Sequence, residues 1–510
     1  MPIINSIVSW LMKKRSHQIE LFMKYPYEVQ QESFRKLIDT AKDTELGRLY
    51  GYSSIATVEE FRNRIPVMEY DNLKPYIDRL RKGEQNLLWP SEIVWFAKSS
   101  GTTNDKSKYI PVSEESLNDC HYKGGKDMLT LYCNAYPDTH MFDGKTLSLV
   151  GSFNHEEYSL FARDGDLSAI LTENLPLWAE FFRAPDRSIA LMSEWEEKMD
   201  KFAKAVMNEN ITVLSAVPSW LLVLLKHTLA VSGKQKIADL WPNLEVYFHG
   251  GVNFSPYRSQ FVDLFKPLSV NYWEIYNASE GFFGIQYSAG NSDLLLMLDY
   301  GIYYEFIDVK DIDKRGPCLS LHEVKPGVNY ALVISTSGGL WRYLIGDTIM
   351  FSSTNPFLFR ITGRIRHFIN AFGEELIIDN AEKALKAACE RAGAAVEDYS
   401  VAPVYMKNGS KGAHQWLIEF SRMPDNLNYF RDSLDNALKS LNSDYEAKRY
   451  KDITLSPPQI DVLPAGTFFR WMKKRGKLGG QNKVPRLSND RRYADEILAL
   501  ISDKPLSLQV

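Results

Sequence analysis

The sequence predicts an α/β protein with a large first domain and a smaller α+β domain at its end. Three observations indicate this. Short β-rich segments such as "ITVLSAV" (211–217) alternate with long helical patterns such as that of 220–231, which is typical of a mainly parallel sheet. Compact strands separated by turns follow between residues 294 and 353. A fresh alternation of helix and strand begins after residue 377.

The first part of the chain, from residue 16 to residue 82, is predicted to be helical. Apolar side chains such as Phe34, Leu37 and Ile38 recur there at helical spacing. The apolar stretch 3–12 precedes a basic cluster, which is the reverse of the order in a signal peptide. We therefore expect an amphipathic helix packed on the body of the protein at this end.

Strands are predicted in two groups. The parallel group should gather ligands where its strands end, and it comprises 146–151, 211–217, 244–251 and 269–281. The second group is expected to form an antiparallel or barrel-like subdomain, and it comprises 294–308, 329–336 and 347–353.

The smaller domain is predicted from a change of pattern near Gly363. A helix at 380–391, a strand at 415–420 and a helix at 427–441 follow that point. The predicted organisation is a large domain at 1–362, a hinge at 363–367 and a small domain at 368–510.

Composition limits the possible partners. The 510 residues are 45% hydrophobic with a formal net charge of -4, enough for a large core and without the positive excess of a nucleic-acid-binding protein. No apolar run approaches the roughly 20 residues of a membrane span. Four scattered cysteines favour a reducing, cytoplasmic location. We expect a small-molecule ligand, and the sequence does not indicate an oligomeric state.

Common nucleotide and hydrolase motifs do not occur in the sequence. The fragment Gly144, Lys145, Thr146 lacks the leading glycine of a P-loop, and GxGxxG, HExxH and GxSxG are absent. Any nucleotide chemistry must therefore use another loop.

The hydroxyl-rich stretch "KSSGTTNDKSK" (98–108) is the first candidate for phosphate binding. A glycine lets the backbone turn, and consecutive N–H groups and hydroxyls can hold an anion. The residues concerned are Ser99, Ser100, Gly101, Thr102 and Thr103, with Lys108 at the flank. An ordinary solvent-exposed turn would have the same composition.

Two further stretches place a carboxylate at the end of a strand. "YNASEGFFG" (276–284) has Glu280 directly after Ser279, where oxygen ligands could hold Mg²⁺ beside a phosphate. "GGLWRYLIGDTI" (338–349) has Asp347 after a glycine, where a carboxylate could accept both hydroxyls of a ribose. The alternatives are a solvated turn for Glu280 and a β-turn cap for Asp347.

In this order the three stretches resemble the adenylate-forming superfamily of acyl-CoA synthetases and firefly luciferase. They are more closely similar to the plant auxin-responsive acyl-acid amido synthetases and their bacterial relatives. The resemblance covers nearly the whole chain and includes "IPVMEYDNLKPYIDRL" (65–80) and "GGQNKVPRL" (479–487). It implies a ligase that uses ATP and Mg²⁺ to activate a small carboxylic acid as an acyl-adenylate and passes the acyl group to an amino acid.

The resemblance also implies roles for individual residues. The loop of residues 99–103 would hold the ATP phosphates with Lys108, and Glu280 would bind Mg²⁺ while Ser279 contacts phosphate. The adenine would be bordered by Gly250, Gly251 and Tyr276. Asp347 would bind the ribose hydroxyls, assisted by Arg364. Lys483, on a mobile C-terminal domain, would contact the α-phosphate.

An ammonium suits the last role because lysine is a compact charge on a flexible stem. Lys477, flanked by glycines, competes with Lys483 for it, and the whole basic run could instead be a solvated surface. Asn104, Asp105 and Asn277 depart from the family pattern, which places glycine at such positions.

The substrates are less well specified. Val217, Pro218, Trp220 and Phe248 would suit a pocket for a hydrophobic or aromatic acid, and they would equally suit a core. Coenzyme A is the rival to an amino acid as acceptor. A protein of the same fold that only binds nucleotide or an acyl ligand is the non-enzymatic alternative.

Overall fold

The computed structural model describes residues 2–100, 107–153, 161–252, 254–312, 316–365, 368–374, 376–406, 411–450, 454–475 and 484–502. The N-terminal region is helical, as predicted. Its helices are α1 (Pro2–Lys24), α2 (Pro26–Ala41), α3 (Glu45–Tyr50), α4 (Val58–Arg64) and α5 (Tyr70–Arg81). The helices that follow are α6 (Lys123–Ala135), α7 (Leu167–Glu173), α8 (Arg187–Ala190), α9 (Trp195–Val206), α10 (Pro218–Ser232) and α11 (Ser255–Phe265). The C-terminal region contains α12 (Ile378–Ala392), α13 (Leu427–Leu441), α14 (Ser443–Arg449), α15 (Thr467–Lys474) and α16 (Arg492–Ser502).

Strands in the first two thirds of the chain form two sheets. The smaller sheet contains β1 (Trp95–Ser100), β2 (Ser107–Val112) and β4 (Arg163–Gly165) in the order β2-β1-β4. The larger sheet contains β3 (Lys145–Ser148), β5 (Arg183–Ala184), β6 (Ile211–Ser215), β7 (Val246–His249), β8 (Asn271–Ala278), β9 (Gly281–Ser288), β10 (Asn291–Leu296), β11 (Ile302–Asp308), β12 (Asn329–Thr336), β13 (Tyr343–Thr354) and β14 (Phe357–Arg364). Its order is β11-β12-β13-β14-β10-β9-β8-β7-β6-β3-β5.

Strand β8 joins a parallel half of this sheet to an antiparallel half. It pairs in parallel with β7 on one side and antiparallel with β9 on the other. The predicted antiparallel strands therefore continue the parallel sheet instead of forming a separate barrel-like subdomain. The physical reason is that a tight connection from Ala278 to Gly281 reverses the chain beside β8, so that β8 has a partner on both sides and leaves no open edge.

Buried polar side chains attach the N-terminal helices to the sheet. Gln30 on α2 donates to the backbone oxygens of Leu298 (2.9 Å) and Ile302 (3.0 Å) and accepts from the backbone N–H of Tyr304 (2.9 Å). Arg15 on α1 donates to both oxygens of the buried Asp127. The predicted N-terminal helix is present, and from Arg15 onward it packs on the body of the protein.

By its contacts the chain divides into two compact units. The first contains the described parts of 1–99, 108–254 and 261–365, and the second those of 100–107, 255–260 and 366–510. A hinge at 363–367 stays a prediction.

The second unit has its own sheet and core. Strands β17 (Ala395–Val404), β18 (Ala413–Arg422) and β19 (Gln459–Leu463) form a sheet in that order, and β15 (Phe368–Ile369) pairs with β16 (Leu376–Ile377). Leu417, Leu463, Phe468 and Trp471 lie in one of its hydrophobic clusters. The predicted helix 427–441 coincides with α13, and the strand 415–420 lies inside β18.

Candidate active site

Three side chains from separate strands meet at Asp347. Arg364 on β14 stands directly opposite Asp347 on β13, and its Nε donates to Asp347 Oδ1 over 2.5 Å. The Oη of Tyr276 on β8 donates to Asp347 Oδ2. The side chains of Asp347 and Arg364 retain 12% and 21% exposure, so the cluster is enclosed without being sealed. The sequence predicted all three residues, and the structure brings them together.

Local backbone geometry explains the position of the carboxylate. Gly346 has a φ of +97°, a conformation that a side chain would strain, and its carbonyl accepts from the N–H of Ile365 over 2.8 Å. Asp347 follows within β13, and both of its oxygens accept from side chains. The alternative interpretation of Asp347 as a β-turn cap is therefore wrong.

Tyr276 is a permanent donor in this cluster. Burial, followed by the negative charge of Asp347, raises the pKa of Tyr276 well above its usual range. The phenol is therefore protonated at every pH at which the protein would work, and it can only donate to the carboxylate.

Two glycines follow β7, and the first of them lies against β8, the strand that carries Tyr276. A Cβ on Gly250 would lie 2.5 Å from the carbonyl oxygen of Ile275, which excludes any other residue there. Gly251 has a φ of +80°, and a Cβ on it would lie 3.4 Å from Val217. The backbone after β7 can thus approach β8 closely, next to Tyr276.

Ser279 and Glu280 form the connection between β8 and β9 and are both half-buried. The charge of Glu280 contributes to the raised pKa of Tyr276 after burial and Asp347, which places Glu280 near the cluster. Among the described residues, no group of three or more His, Cys, Asp or Glu side chains could hold a metal by itself.

The phosphate loop and the mobile lysine are only partly described. Ser99 lies near the end of β1 and Lys108 is the second residue of β2, both half-buried, and the side chain of Ser100 is not described. In the described part of the chain neither Ser99 nor Lys108 hydrogen-bonds to the Asp347 cluster. Four predicted positions lie outside the described residues, namely Gly101, Thr102, Thr103 and Lys483, together with the rival Lys477.

Sequence reasoning missed one polar pair beside the cluster. His121 Nδ1 lies 3.1 Å from Asn277 Oδ1, and His121 is buried. Asn277 follows Tyr276 in the chain, and in the sequence it stands out only as a departure from the family pattern. His121 gave no sequence signal, because it lies in a π-helical turn (Ser116–Tyr122) that periodicity does not predict.

The four apolar residues proposed for an acyl pocket have different surroundings. Phe248 belongs to the hydrophobic core and packs on Tyr132 with ring centroids 5.6 Å apart. Pro218 is also buried, whereas Val217 and Trp220 are half-buried. The core interpretation therefore suits Phe248 best.

Comparisons with solved structures give the class of fold that the sequence predicts. A solved structure of GH3.15 acyl acid amido synthetase with 2,4-DB matches 92% of this chain and 93% of its own, with a TM-score of 0.59 at 17% identity. A 2-hydroxyisobutyryl-CoA ligase bound to 2-HIB-AMP and CoA matches 96% and 93% with a TM-score of 0.57 at 12% identity. The chain thus has the fold of adenylate-forming enzymes.

Family models cover most of the sequence. The GH3 family N-terminal domain matches residues 15–270, the central domain 295–364 and the C-terminal domain 379–492. The chain belongs to the GH3 family. An indole-3-acetic acid-amido synthetase, GH3.3 of Arabidopsis thaliana, is 23% identical over 90% of this chain and 89% of its own length.

Proposed function

We propose that this protein is an ATP-dependent ligase that activates a carboxylic acid as an acyl-adenylate and transfers the acyl group to an amino acid, forming an amide. The observation that carries the proposal is the Asp347 carboxylate. Each of its oxygens accepts one hydrogen bond from the protein and keeps a lone pair for a second. Two adjacent ribose hydroxyls fit that remaining capacity.

Charge compensation supports the same role. Arg364 neutralises Asp347, so that an anionic nucleotide can bind next to a carboxylate without strong repulsion. We propose that Gly250, Gly251 and Tyr276 border the adenine. The loop of residues 99–103 and Lys108 would hold the phosphates, where N–H groups and an ammonium suit an anion.

Mg²⁺ is proposed to be held through Glu280, with Ser279 close to the phosphates. When bound, the ion would neutralise phosphate charge during the displacement. The half-buried position of Glu280 in the β8–β9 connection lets it serve as a single protein carboxylate for an ion whose other ligands come from the substrate and water.

Two transfer steps make up the proposed reaction. An oxygen of the acid attacks the α-phosphorus of ATP, and the bond to pyrophosphate breaks. The amine nitrogen then attacks the acyl carbonyl, the bond to AMP breaks, and the amine loses a proton. The ammonium of Lys483, or of its rival Lys477, would stabilise the charge on the α-phosphate by positioning alone.

Acid-dependent exchange between ATP and labelled pyrophosphate tests the first step. We expect exchange with a hydrophobic or aromatic acid, loss of exchange on chelation, and recovery with Mg²⁺. Glu280→Gln and Lys483→Ala should each lower the rate by about a hundredfold, and Lys477→Ala should leave it nearly unchanged. ATP binding without exchange for any acid of a broad panel would favour a non-catalytic binding protein.

Mass detection of the product decides the acceptor. With the activated acid, incubation with a mixture of amino acids should give an amide, and incubation with coenzyme A should give no thioester. The reverse result would make the protein an acyl-CoA ligase.

Among the described residues, no helix has the length and apolar character that a membrane span requires. All four cysteines are free thiols, which supports our proposal of a cytosolic location.

A further inference from the structure

Two consecutive residues of β8 contact different neighbours in the candidate site. The side chain of Tyr276 reaches Asp347, and that of the next residue, Asn277, reaches His121. The pairing with β9 shifts by one residue between Tyr276 and Asn277, an irregularity that re-aims side chains and is common beside active sites. Asn277 therefore lies next to the nucleotide cluster without belonging to it.

His121 fixes the orientation of the Asn277 amide. Burial lowers the pKa of His121 to about 4, so the imidazole is neutral at working pH. An amide oxygen only accepts, so His121 Nδ1–H donates to Asn277 Oδ1 over 3.1 Å. The amide oxygen is thereby committed to the protein, and the amide nitrogen is directed away from the ring.

The segment around His121 is firmly attached to both strands of the β8–β9 hairpin. The backbone N–H of Phe282 donates to Cys120 Sγ over 3.2 Å. A Cβ on Gly124 would lie 2.4 Å from the Phe282 ring, so α6 packs directly on β9. Cys120 and His121 both lie in the π-helical turn, and such turns occur frequently at functional sites.

The amide nitrogen of Asn277 has no hydrogen-bond acceptor within the described ranges. Asn277 is half-buried, and its Nδ2 carries two donors. Polar groups that are partly withdrawn from water lose free energy when they stay unpaired. His121 orients this donor, which lies beside Tyr276 and three residues before Glu280. It is therefore suited to donate a hydrogen bond to an oxygen of a ligand.

We propose that Asn277 Nδ2 donates a hydrogen bond to an oxygen of the acyl carboxyl group and that His121 is the positioning residue that holds this donor. The inference rests on the proposed function. The ribose hydroxyls are assigned to Asp347, on the other side of Tyr276, so the acid is the substrate left for Asn277. In the adenylation step the acid's second oxygen does not attack phosphorus, and a donor on it holds the attacking oxygen in line. In the transfer step the same oxygen gains negative charge, which the donor stabilises.

Substitutions at Asn277 separate the role of its Nδ2 donor from that of its Oδ1, which accepts from His121. Asn277→Asp keeps an oxygen that accepts from His121 and replaces the donor by a negative oxygen. Asn277→Gly removes both groups and introduces the residue that the family pattern places there, so that the fold should tolerate it. Asn63→Asp, at an exposed position on α4, is the matched control for the added charge.

Steady-state pyrophosphate exchange with the acid found for the wild type provides the readout. We expect both Asn277 variants to lower kcat/KM for the acid by about a hundredfold, with KM for ATP within twofold of the wild type. His121→Phe should lower kcat/KM for the acid by about tenfold, and adding it to Asn277→Gly should cause no further loss, because His121 acts only through Asn277.

The outcomes that overturn the inference are distinct. Asn277→Asp with unchanged kcat/KM for the acid would show that the amide only anchors His121. A loss confined to KM for ATP would move the contact to a phosphate oxygen, and a fully additive double variant would remove His121 from the role. A wild type without acid-dependent exchange would overturn the proposed function and this inference together. An active wild type with unaffected variants would overturn only the inference.

Discussion

Two arginine–carboxylate clusters differ in how much of the carboxylate the protein uses. Arg342, directly before β13, belongs to the first, and Asp347, five residues further along the chain, belongs to the second. The Glu305 carboxylate accepts three bonds, two from Arg342 (2.8 and 3.1 Å) and one from Arg62 (2.9 Å). The Asp347 carboxylate accepts two, one on each oxygen. The side chains of Glu305 and Arg342 are 1% and 5% exposed, against 12% and 21% for Asp347 and Arg364.

The difference separates a structural cluster from a candidate binding cluster. Arg342 also donates to the backbone oxygens of Ile65 and Arg62, so that the first cluster ties α4 and the following segment to the antiparallel half of the sheet. The second cluster lies at the boundary with solvent and retains acceptor capacity. The same combination of an arginine and a carboxylate therefore serves the fold in one place and, in our proposal, a ligand in the other.

Removing Glu305 should have the largest effect. Glu305→Ala leaves the buried Arg342 guanidinium uncompensated, and we expect a loss of about 4 kcal/mol in the free energy of unfolding. Urea denaturation measures it. Glu84→Ala, which breaks an exposed ion pair with Arg79, is the control and should denature like the wild type. Equal midpoints for the two variants would contradict the structural role of the first cluster.

Asp347→Asn should affect activity instead of stability. The amide keeps the shape of the side chain and loses the charge and one acceptor, so we expect kcat/KM for ATP to fall about a hundredfold, equivalent to about 3 kcal/mol. Arg364 can turn toward water, so the urea midpoint should change little. A variant that is strongly destabilised but has normal activity per folded molecule would place Asp347 with Glu305.

Sequence reasoning reached one of these clusters and not the other. Asp347, Tyr276 and Arg364 could be predicted because their neighbouring residues match a family pattern that carries their roles. Glu305 and Arg342 meet because β11 and β13 flank β12 in the sheet, and this order cannot be inferred from local periodicity. The strand 329–336 could be predicted with its observed bounds because its centre, 330–334, is a continuous apolar run, whereas 294–308 divides into β10 and β11 at a turn containing Gly301.

The His121–Asn277 pair is uncharged, unlike the two ionic clusters. Its contribution to the free energy of unfolding should therefore decrease when the pH is lowered. His121 has a pKa of about 4 in the folded state against 6.5 in the unfolded chain, so the unfolded state binds more protons between these values. Stability contributed by neutral His121 is complete above about pH 6.5 and is lost as the pH falls toward 4.

The wild type should therefore lose roughly 2 kcal/mol more unfolding free energy than His121→Gln between pH 7 and pH 5. Urea titrations at the two pH values measure the difference, and the other titrating groups cancel in the comparison. Parallel pH dependence in the two proteins would mean that His121 is accessible to water and cannot hold the Asn277 amide in one orientation.

Tyr276→Phe should have the smallest effect and is the finest test of the comparison. It removes one of the two donors to Asp347 and leaves the carboxylate, its charge and the pairing with Arg364 in place. If the Tyr276 hydroxyl only orients the carboxylate, KM for ATP should rise about tenfold, equivalent to about 1.4 kcal/mol, with kcat nearly unchanged. The corresponding loss of one donor to Glu305, in Arg62→Met, should lower the urea midpoint without changing KM. A Tyr276→Phe variant that loses kcat at constant KM would instead show that the phenol contacts the reacting phosphate.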